Sequence, residues 1–265
     1  MCLVMLALGQ HPRYSLILAA NRDEYHARPS AALHAWSDKP GILGGRDLEK
    51  GGSWLAAARR GALAVVTNVR DPARRVSGGP SRGDLVSDFL GDDAALAARY
   101  VPGRCAPSLG YDGFNLIAVD HSGAWYGSNR GDLRQLHAGV HGLSNHLLDT
   151  DWPKVRRLRA AMCQVLEACH PSPGGALMLA LADRAAVPDE QLPATGVPLE
   201  WERRLGPPFI ISPDYGTRCS SIVLIDHDGL LTLIEHSFDP QGILTATREL
   251  SIQLERAPGP WTTAT

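Results

Sequence analysis

No stretch of this chain approaches the ~20 consecutive apolar residues that a helix needs to cross a bilayer, so a helical membrane protein is set aside. Charge of either sign is not in excess. The 26 Lys and Arg against 28 Asp and Glu leave a formal net charge of -2, and neither nucleic acid nor an anionic membrane gains a global attraction from it. Cysteine is sparse and odd in number: Cys2, Cys105, Cys163, Cys169 and Cys219. Scattered in this way, they make no disulfide framework and suit a reducing compartment, so the cytoplasm is the expected location. Cofactor signatures are missing too. There is no His-Glu-x-x-His and no Cys-x-x-Cys-His, and the glycines between Gly44 and Gly52 lack the Gly-Lys-Ser/Thr ending of a phosphate loop. His137, His141 and His146 lie close together, but Gly139, Gly142 and Ser144 between them argue against a helix, and no metal site is expected there. Neither repeats nor low-complexity segments break the chain, which reads as one domain over residues 1–265 without a cofactor.

What is present is an ordinary globular composition, 44% hydrophobic and 20% charged, arranged mainly as short apolar runs. Cys2 to Leu8 and Tyr14 to Ala20 flank Gly9-Gln10-His11-Pro12-Arg13, which predicts a hairpin with a buried first strand. The first run has no basic start and no small-residue cleavage site after it, so it is not read as a secretory signal. A polar, glycine-rich stretch follows from Asn21 to Gly52. Further strands are predicted at 53–58, 62–68, 114–120, 124–128, 140–144, 220–226, 230–236 and 245–254. Helices are expected from about Asp84 to Phe89, from Asp93 to Tyr100, from Pro153 to Cys169 and from Gly175 to Asp183. The Pro-rich segment from Pro188 to Pro208 reads as an exposed loop or lid. Strands that pair as hairpins, with helices arriving in blocks, predict an α+β protein of antiparallel sheets covered by helices and not a doubly wound parallel sheet.

Cys2 is the residue on which a function can turn. It either begins an apolar strand and nothing more, or, once the initiator Met1 is removed, it carries a thiol and a free α-amine on one residue. These titrate near ~8.5 and ~8, so nucleophile and base sit together. The hairpin lays the end of the second strand, Asn21-Arg22-Asp23-Glu24, beside that cysteine. Asp23 can then reach the α-amine, and Arg22 can favour the thiolate. Neighbours on a strand face opposite sides, so both face Cys2 only if the strand bulges. Asn68 and Asn145 end strands, where asparagine serves either a turn or, aimed at one point, a developing oxyanion. Arg218 enters a late strand, as an edge charge or toward the same site. Arg70, Arg74, Arg75 and Arg82 make a basic stretch, solvated or able to receive an acidic group.

Cys2, Ala19-Ala20-Asn21-Arg22-Asp23-Glu24, Arg28-Pro29, Gly51-Gly52-Ser53-Trp54-Leu55, Thr67-Asn68, Ser81-Arg82-Gly83, Gly113-Phe114-Asn115-Leu116, Gly142-Leu143-Ser144-Asn145 and Tyr215-Gly216-Thr217-Arg218 occur in this order over nearly the whole chain. Together they resemble the NRDE family, the transport and Golgi organisation protein 2 homologues. The resemblance implies an N-terminal-nucleophile hydrolase fold, a four-layer αββα sandwich of two antiparallel sheets between helices. More distantly the chain is similar to the penicillin V acylase and bile salt hydrolase group. That similarity implies Cys2 as nucleophile, Arg22 beside it, Asp23 as holder of the α-amine, Asn68 and Asn145 at the oxyanion, and Arg218 as a late arginine. In this chain Arg22 adjoins Asp23, whereas the acylases place their early arginine a few residues ahead of the aspartate.

The expectation is a hydrolase cutting the carbon–nitrogen bond of a small acylated molecule, with a small-molecule partner and neither nucleic acid nor membrane insertion. The alternative is a protein that keeps the same pocket to handle a lipid, an acyl thioester or haem without turnover.

Overall fold

The computed structural model describes residues 2–259 and 261. Along the chain, the strands β1 (Cys2–Leu8), β2 (Tyr14–Tyr25), β3 (Ser30–Ala35), β4 (Ile42–Asp47), β5 (Leu55–Ala58) and β6 (Ala62–Asn68) come first. Two helices follow, α1 (Asp84–Gly91) and α2 (Ala97–Arg104), then β7 (Phe114–Asp120), β8 (Gly123–Ser128), β9 (Leu133–Leu136) and β10 (Gly139–Leu143). Helices α3 (Pro153–Glu167), α4 (Gly174–Leu181) and α5 (Leu199–Leu205) precede β11 (Tyr215–Asp226), β12 (Leu230–Phe238) and β13 (Leu244–Gln253).

Every strand pairing in the two sheets is antiparallel. One sheet has the order β10-β1-β2-β11-β12-β13 and the other β3-β4-β5-β6-β7-β8-β9. The apolar alternation assigns the layers. On β1 and β2 the even positions Val4, Leu6, Leu8, Leu16 and Leu18 meet Leu55, Leu63, Val65 and Ile117 of the second sheet. The odd positions Leu3, Met5, Ile17 and Ala19 pack instead on Val155, Leu158 and Met162 of α3 and Leu177 of α4. The outer face of the second sheet carries Leu85, Val86 and Phe89 of α1 with Val101 of α2. A strand with apolar cover on both faces reads as a continuous hydrophobic run, which is why Cys2 to Leu8 does not alternate. The result is the expected α+β arrangement of two antiparallel sheets between helices. No described helix is long and apolar enough to cross a membrane, and all five cysteines are free.

Strand β9 is not predicted by the sequence pattern, β11 begins five residues earlier than expected, and three further segments differ from that pattern. The polar stretch after Ala20 is largely strand. Asn21 stays 1% exposed because its amide donates to the carbonyls of Leu181 and Pro208, at 2.8 and 2.9 Å, and its oxygen accepts from Ser220 Oγ. With those bonds made, a polar strand end can remain buried. The second helix begins at Ala97 and not Asp93, since Leu96 is extended (φ -108°, ψ 134°) and Ala97 N–H is held by Asp120 Oδ2 at 2.6 Å. The Pro-rich segment contains α5, which carries a buried Glu202.

Candidate active site

At the polar end of the first hairpin, Cys2 stands directly opposite Arg22. The β1–β2 register is regular, so Arg22 shares the inter-sheet face with Cys2 while Asp23 turns to the α3 side. The irregularity lies on β11 instead. Thr217 pairs with Asp23 and Cys219 with Arg22, leaving Arg218 as the extra residue of a bulge.

Four of the six residues singled out in the sequence line one pocket of about 470 Å³: Cys2, Arg22, Asp23 and Asn68. Its walls include Trp54 and the 76–83 loop. That loop lies on the backbone of Gly52-Ser53. Ser53 N–H donates to the Gly83 carbonyl, and a Cβ on Gly52 would stand 2.4 Å from the Gly83 carbonyl carbon, so glycine is required there. A second pocket of about 310 Å³ adjoins it, sharing Asn68 and Arg82, with a more apolar wall of Val197, Trp201 and Tyr215.

Cations and carboxylates both line the site, and its floor at Cys2, Arg22 and Asp23 is buried. Arg22 is 6% exposed. Its guanidinium lies 4.2 Å over the Trp54 ring and makes a long 3.5 Å contact to Ser30 Oγ, and no described carboxylate pairs with it. Burial raises the Cys2 thiol above its ordinary value, as does the Asp23 charge, while Arg22 acts in the opposite direction. Burial likewise raises the Asp23 carboxyl. The strongest opposing influence is the Lys154 ammonium, and Thr217 Oγ1 adds a hydrogen bond to Asp23 Oδ1 at 2.7 Å. Met1, whose removal would free the Cys2 amine, lies outside the described residues.

Asn145 and Arg218 are placed differently. Asn145 is fully buried behind Asn68. Its amide donates to the Asn68 backbone carbonyl at 3.0 Å, and it does not line the pocket. Arg218 donates to the carbonyls of Tyr25, His26 and Arg28, at 3.0, 3.2 and 3.2 Å, and so ties down the turn after β2. Arg82 reaches Asp112 and the Gly113 carbonyl, at 3.4 and 3.2 Å, from the pocket wall.

Two neighbours of the site escape sequence reasoning. Arg70 and Glu202, 132 positions apart, form a buried ion pair at 2.5 Å, and Arg70 lies 4.8 Å over Trp152. Nothing local in the sequence announces that pair. Lys154, at the start of α3, is 2% exposed with no hydrogen-bond partner for Nζ among the described residues. A signal for it exists, because Lys154, Leu158 and Met162 recur every four residues on the apolar stripe of α3.

Comparison with known proteins places the chain. The family described as Transport and Golgi organisation 2 matches residues 1–240. The Transport and Golgi organization protein 2 homolog of Bos taurus is 36% identical over 96% of this chain and 100% of its own length, and that of Homo sapiens is 34% identical over the same shares. Among solved structures, the Caenorhabditis elegans N-acylethanolamine-hydrolyzing acid amidase (NAAA) ortholog covers 84% of this chain and 92% of its own, with 13% identity and a TM-score of 0.42. That likeness is too slight to carry chemistry across. With a match over most of its length and full-length relatives above 30% identity, this chain is a member of the Transport and Golgi organisation 2 family.

Proposed function

We propose that this protein is a cysteine amidohydrolase that cleaves the carbon–nitrogen bond of a small acylated molecule, with Cys2 as nucleophile after removal of Met1. The observation that carries this reading is the strand pairing of Cys2 with Arg22, a buried guanidinium with no carboxylate partner among the described residues, in one pocket with Asp23 and Asn68. A desolvated positive charge facing a thiol favours the thiolate and, once sulfur has attacked, the oxyanion.

The Cys2 sulfur adds to the amide carbonyl carbon, and its proton passes to the α-amine, which Asp23 holds in place. Arg22 and the Asn68 side chain supply donors to the oxygen that becomes anionic. Asn145 fixes the Asn68 backbone and so the position of that side chain. Collapse expels the amine, which takes the proton back, and leaves a thioester on Cys2. Water, activated by the same α-amine, then hydrolyses the thioester and regenerates the thiol. The wall of Val197, Trp201 and Tyr215 beside Asn68 suits the acyl portion.

That wall also suits a carrier that binds an acyl ligand without cutting it. A panel of acyl amides tested against the wild type and Cys2→Ala separates the two. Hydrolysis lost in Cys2→Ala with an unchanged circular dichroism spectrum supports the enzyme, and equal rates in both proteins reject it. A carrier would hold an acyl ligand equally well in both and release no amine. Intact mass supplies the companion check, since the enzyme requires loss of Met1 and preferential labelling of Cys2 by an acyl-trapping reagent.

A further inference from the structure

A nucleophile at the end of a chain needs an anchor, because the first residues of a domain are poorly ordered unless something ties them down. After loss of Met1, the Cys2 thiol and α-amine would both hang from one Cα, joined to the protein through the Cys2–Leu3 peptide alone. That peptide is planar and carries Cys2 Cα with it, so whatever fixes its carbonyl fixes where the nucleophile stands. On one side Cys2 pairs with Arg22 of β2. On the other the ladder falls short. The β1–β10 register runs from Leu8 opposite Gly139 to Val4 opposite Leu143, and Leu3 and Cys2 overrun its end.

A side chain takes over where the ladder stops. Ser144, the residue after β10, donates its hydroxyl to the Cys2 carbonyl at 3.1 Å. A hydroxyl has one proton to give, and the other acceptor in reach, Asn145 Oδ1, is farther away at 3.4 Å. The backbone around Ser144 is held from the opposite sheet. Its carbonyl accepts from Oγ1 of Thr67, the residue before Asn68, at 2.8 Å. The Asn145 carbonyl accepts from Arg70 N–H at 2.7 Å. The His146 carbonyl accepts from Asn115 Nδ2 at 2.9 Å, and the same amide reaches Thr67 Oγ1 at 3.1 Å. Ser144, Asn145, Thr67 and Asn115 are buried, where each such bond satisfies a group that water does not reach. The segment 144–146 thus spans the two sheets, with Cys2 at one end and the Thr67-Asn68 strand end at the other.

We propose that Ser144 is a positioning residue for the nucleophile: its hydroxyl clasps the Cys2 carbonyl, while its own carbonyl, held by Thr67, fixes the spacing between Cys2 and Asn68. Ser144 is not among the described residues that line the pocket, so it acts through Cys2 and not on a substrate. Asn145 serves the Asn68 end of the same segment, and Ser144 serves the Cys2 end. Without the clasp, Cys2 Cα can shift against Asn68, and a misplacement of about 1 Å can cost about 10²-fold in rate. The kinetic consequence rests on the hydrolase reading, whereas the clasp on the Cys2 carbonyl does not depend on turnover.

Cys2-Leu3 is the one Cys-Leu step in the sequence. Full-length protein carrying carbon-13 carbonyl cysteine and nitrogen-15 leucine therefore gives a single amide–carbonyl correlation by NMR, from the peptide in question. It is recorded for the wild type, Ser144→Ala and Ser144→Thr, which keeps the hydroxyl, beside kcat and KM on an acyl amide that the wild type cleaves. In Ser144→Ala the Cys2 carbonyl resonance should move upfield, as a carbonyl does on losing a hydrogen bond. Its kcat should fall by roughly 10–100-fold with KM little changed. Ser144→Thr should keep the wild-type resonance and most of the rate. An unmoved resonance in Ser144→Ala overturns the clasp. A moved one with full kcat, or an equal loss of kcat in Ser144→Thr at the wild-type resonance, overturns the positioning role. Should Ser144→Thr misfold, Ser144→Ala decides alone, since it removes one oxygen and circular dichroism reports whether the fold survives. A moved resonance in a protein whose wild type cleaves no amide upholds the clasp and rejects the hydrolase reading alone.

Discussion

Two buried arginines on tryptophan faces, Arg22 and Arg70, make an instructive pair. Arg70 lies 4.8 Å over Trp152 and shares a 2.5 Å ion pair with Glu202. Arg22 lies 4.2 Å over Trp54 and has no described carboxylate within ion-pair distance. The first charge is neutralised inside the protein and joins the segment after β6 to α5. The second is desolvated, open to a pocket and opposite a thiol. Among the described residues one buried cation has an ion pair and the other has none, which is the difference the proposed function asks of a charge that meets a substrate.

The largest expected effect follows from that asymmetry. Arg22→Met should lower amide turnover by about 10²–10³, the loss typical of one oxyanion stabiliser, and slow iodoacetamide labelling of Cys2 at neutral pH, with little change in unfolding midpoint. Arg70→Met should do the reverse, because buried Glu202 loses its ion-pair partner at a cost of about 3–5 kcal/mol. Denaturant unfolding of both variants beside their rates decides the matter. Equal damage to stability in both would erase the distinction. The double variant Arg70→Met/Glu202→Leu should recover most of the stability lost by Arg70→Met, since an apolar pair of similar volume often matches a buried ion pair.

Lys154 sharpens the comparison from the other side, as a buried cation whose Nζ makes no hydrogen bond among the described residues. Burial lowers its pKa from the ordinary 10.5 to about 8. Between those values the unfolded chain binds the proton more firmly than the folded one, so stability rises with pH across that window. Below it the penalty is fully present. Lys154→Met should therefore lose the rise in stability between pH about 8 and 10.5. Urea unfolding across that range is the check, and an unaltered slope would show that Lys154 carries no penalty.

How much of this was legible in the sequence depends on the range of the interaction. Cys2 to Leu8 and Tyr14 to Ala20 declare themselves through local apolar runs and a turn, and a hairpin must then bring Cys2 to Arg22. Asn68 follows from its place at a strand end. The burial of Asn21 was not legible, since it depends on carbonyls of Leu181 and Pro208 far along the chain. The same holds for Arg70 and Glu202. Asn145 and Arg218 were singled out by their places on strands and by the family resemblance, but what a side chain bonds is set by the backbone that reaches it. Here those partners are the Asn68 carbonyl and three carbonyls of the turn after β2. Lys154 was readable in principle, as a cation on an apolar stripe.

A weaker ion pair nearer the surface measures how far burial accounts for the contrast between the two arginines. Asp149 accepts from Gly142 N–H at 2.8 Å and from Arg159 at 2.6 Å, tying the end of β10 to α3, yet its side chain keeps 35% of its exposure. Burial pushes its carboxyl upward, but the His141 ring 3.8 Å away and the hydrogen bonds from Gly142 and Arg159 outweigh that and bring it to about 2. The unfolded chain protonates first as the pH falls, so this contribution is complete above about 4 and disappears toward about 2. Screened by solvent, it should amount to only about 1 kcal/mol. Asp149→Asn should remove that amount and flatten the acid limb of stability. Asparagine also tolerates the left-handed backbone here, with φ at 61°. Asp149→Ala should cost more, because strain at that φ adds to the lost charge. If Asp149→Asn proved as damaging as Glu202→Gln, exposure would not be what separates a weak pair from a strong one in this fold.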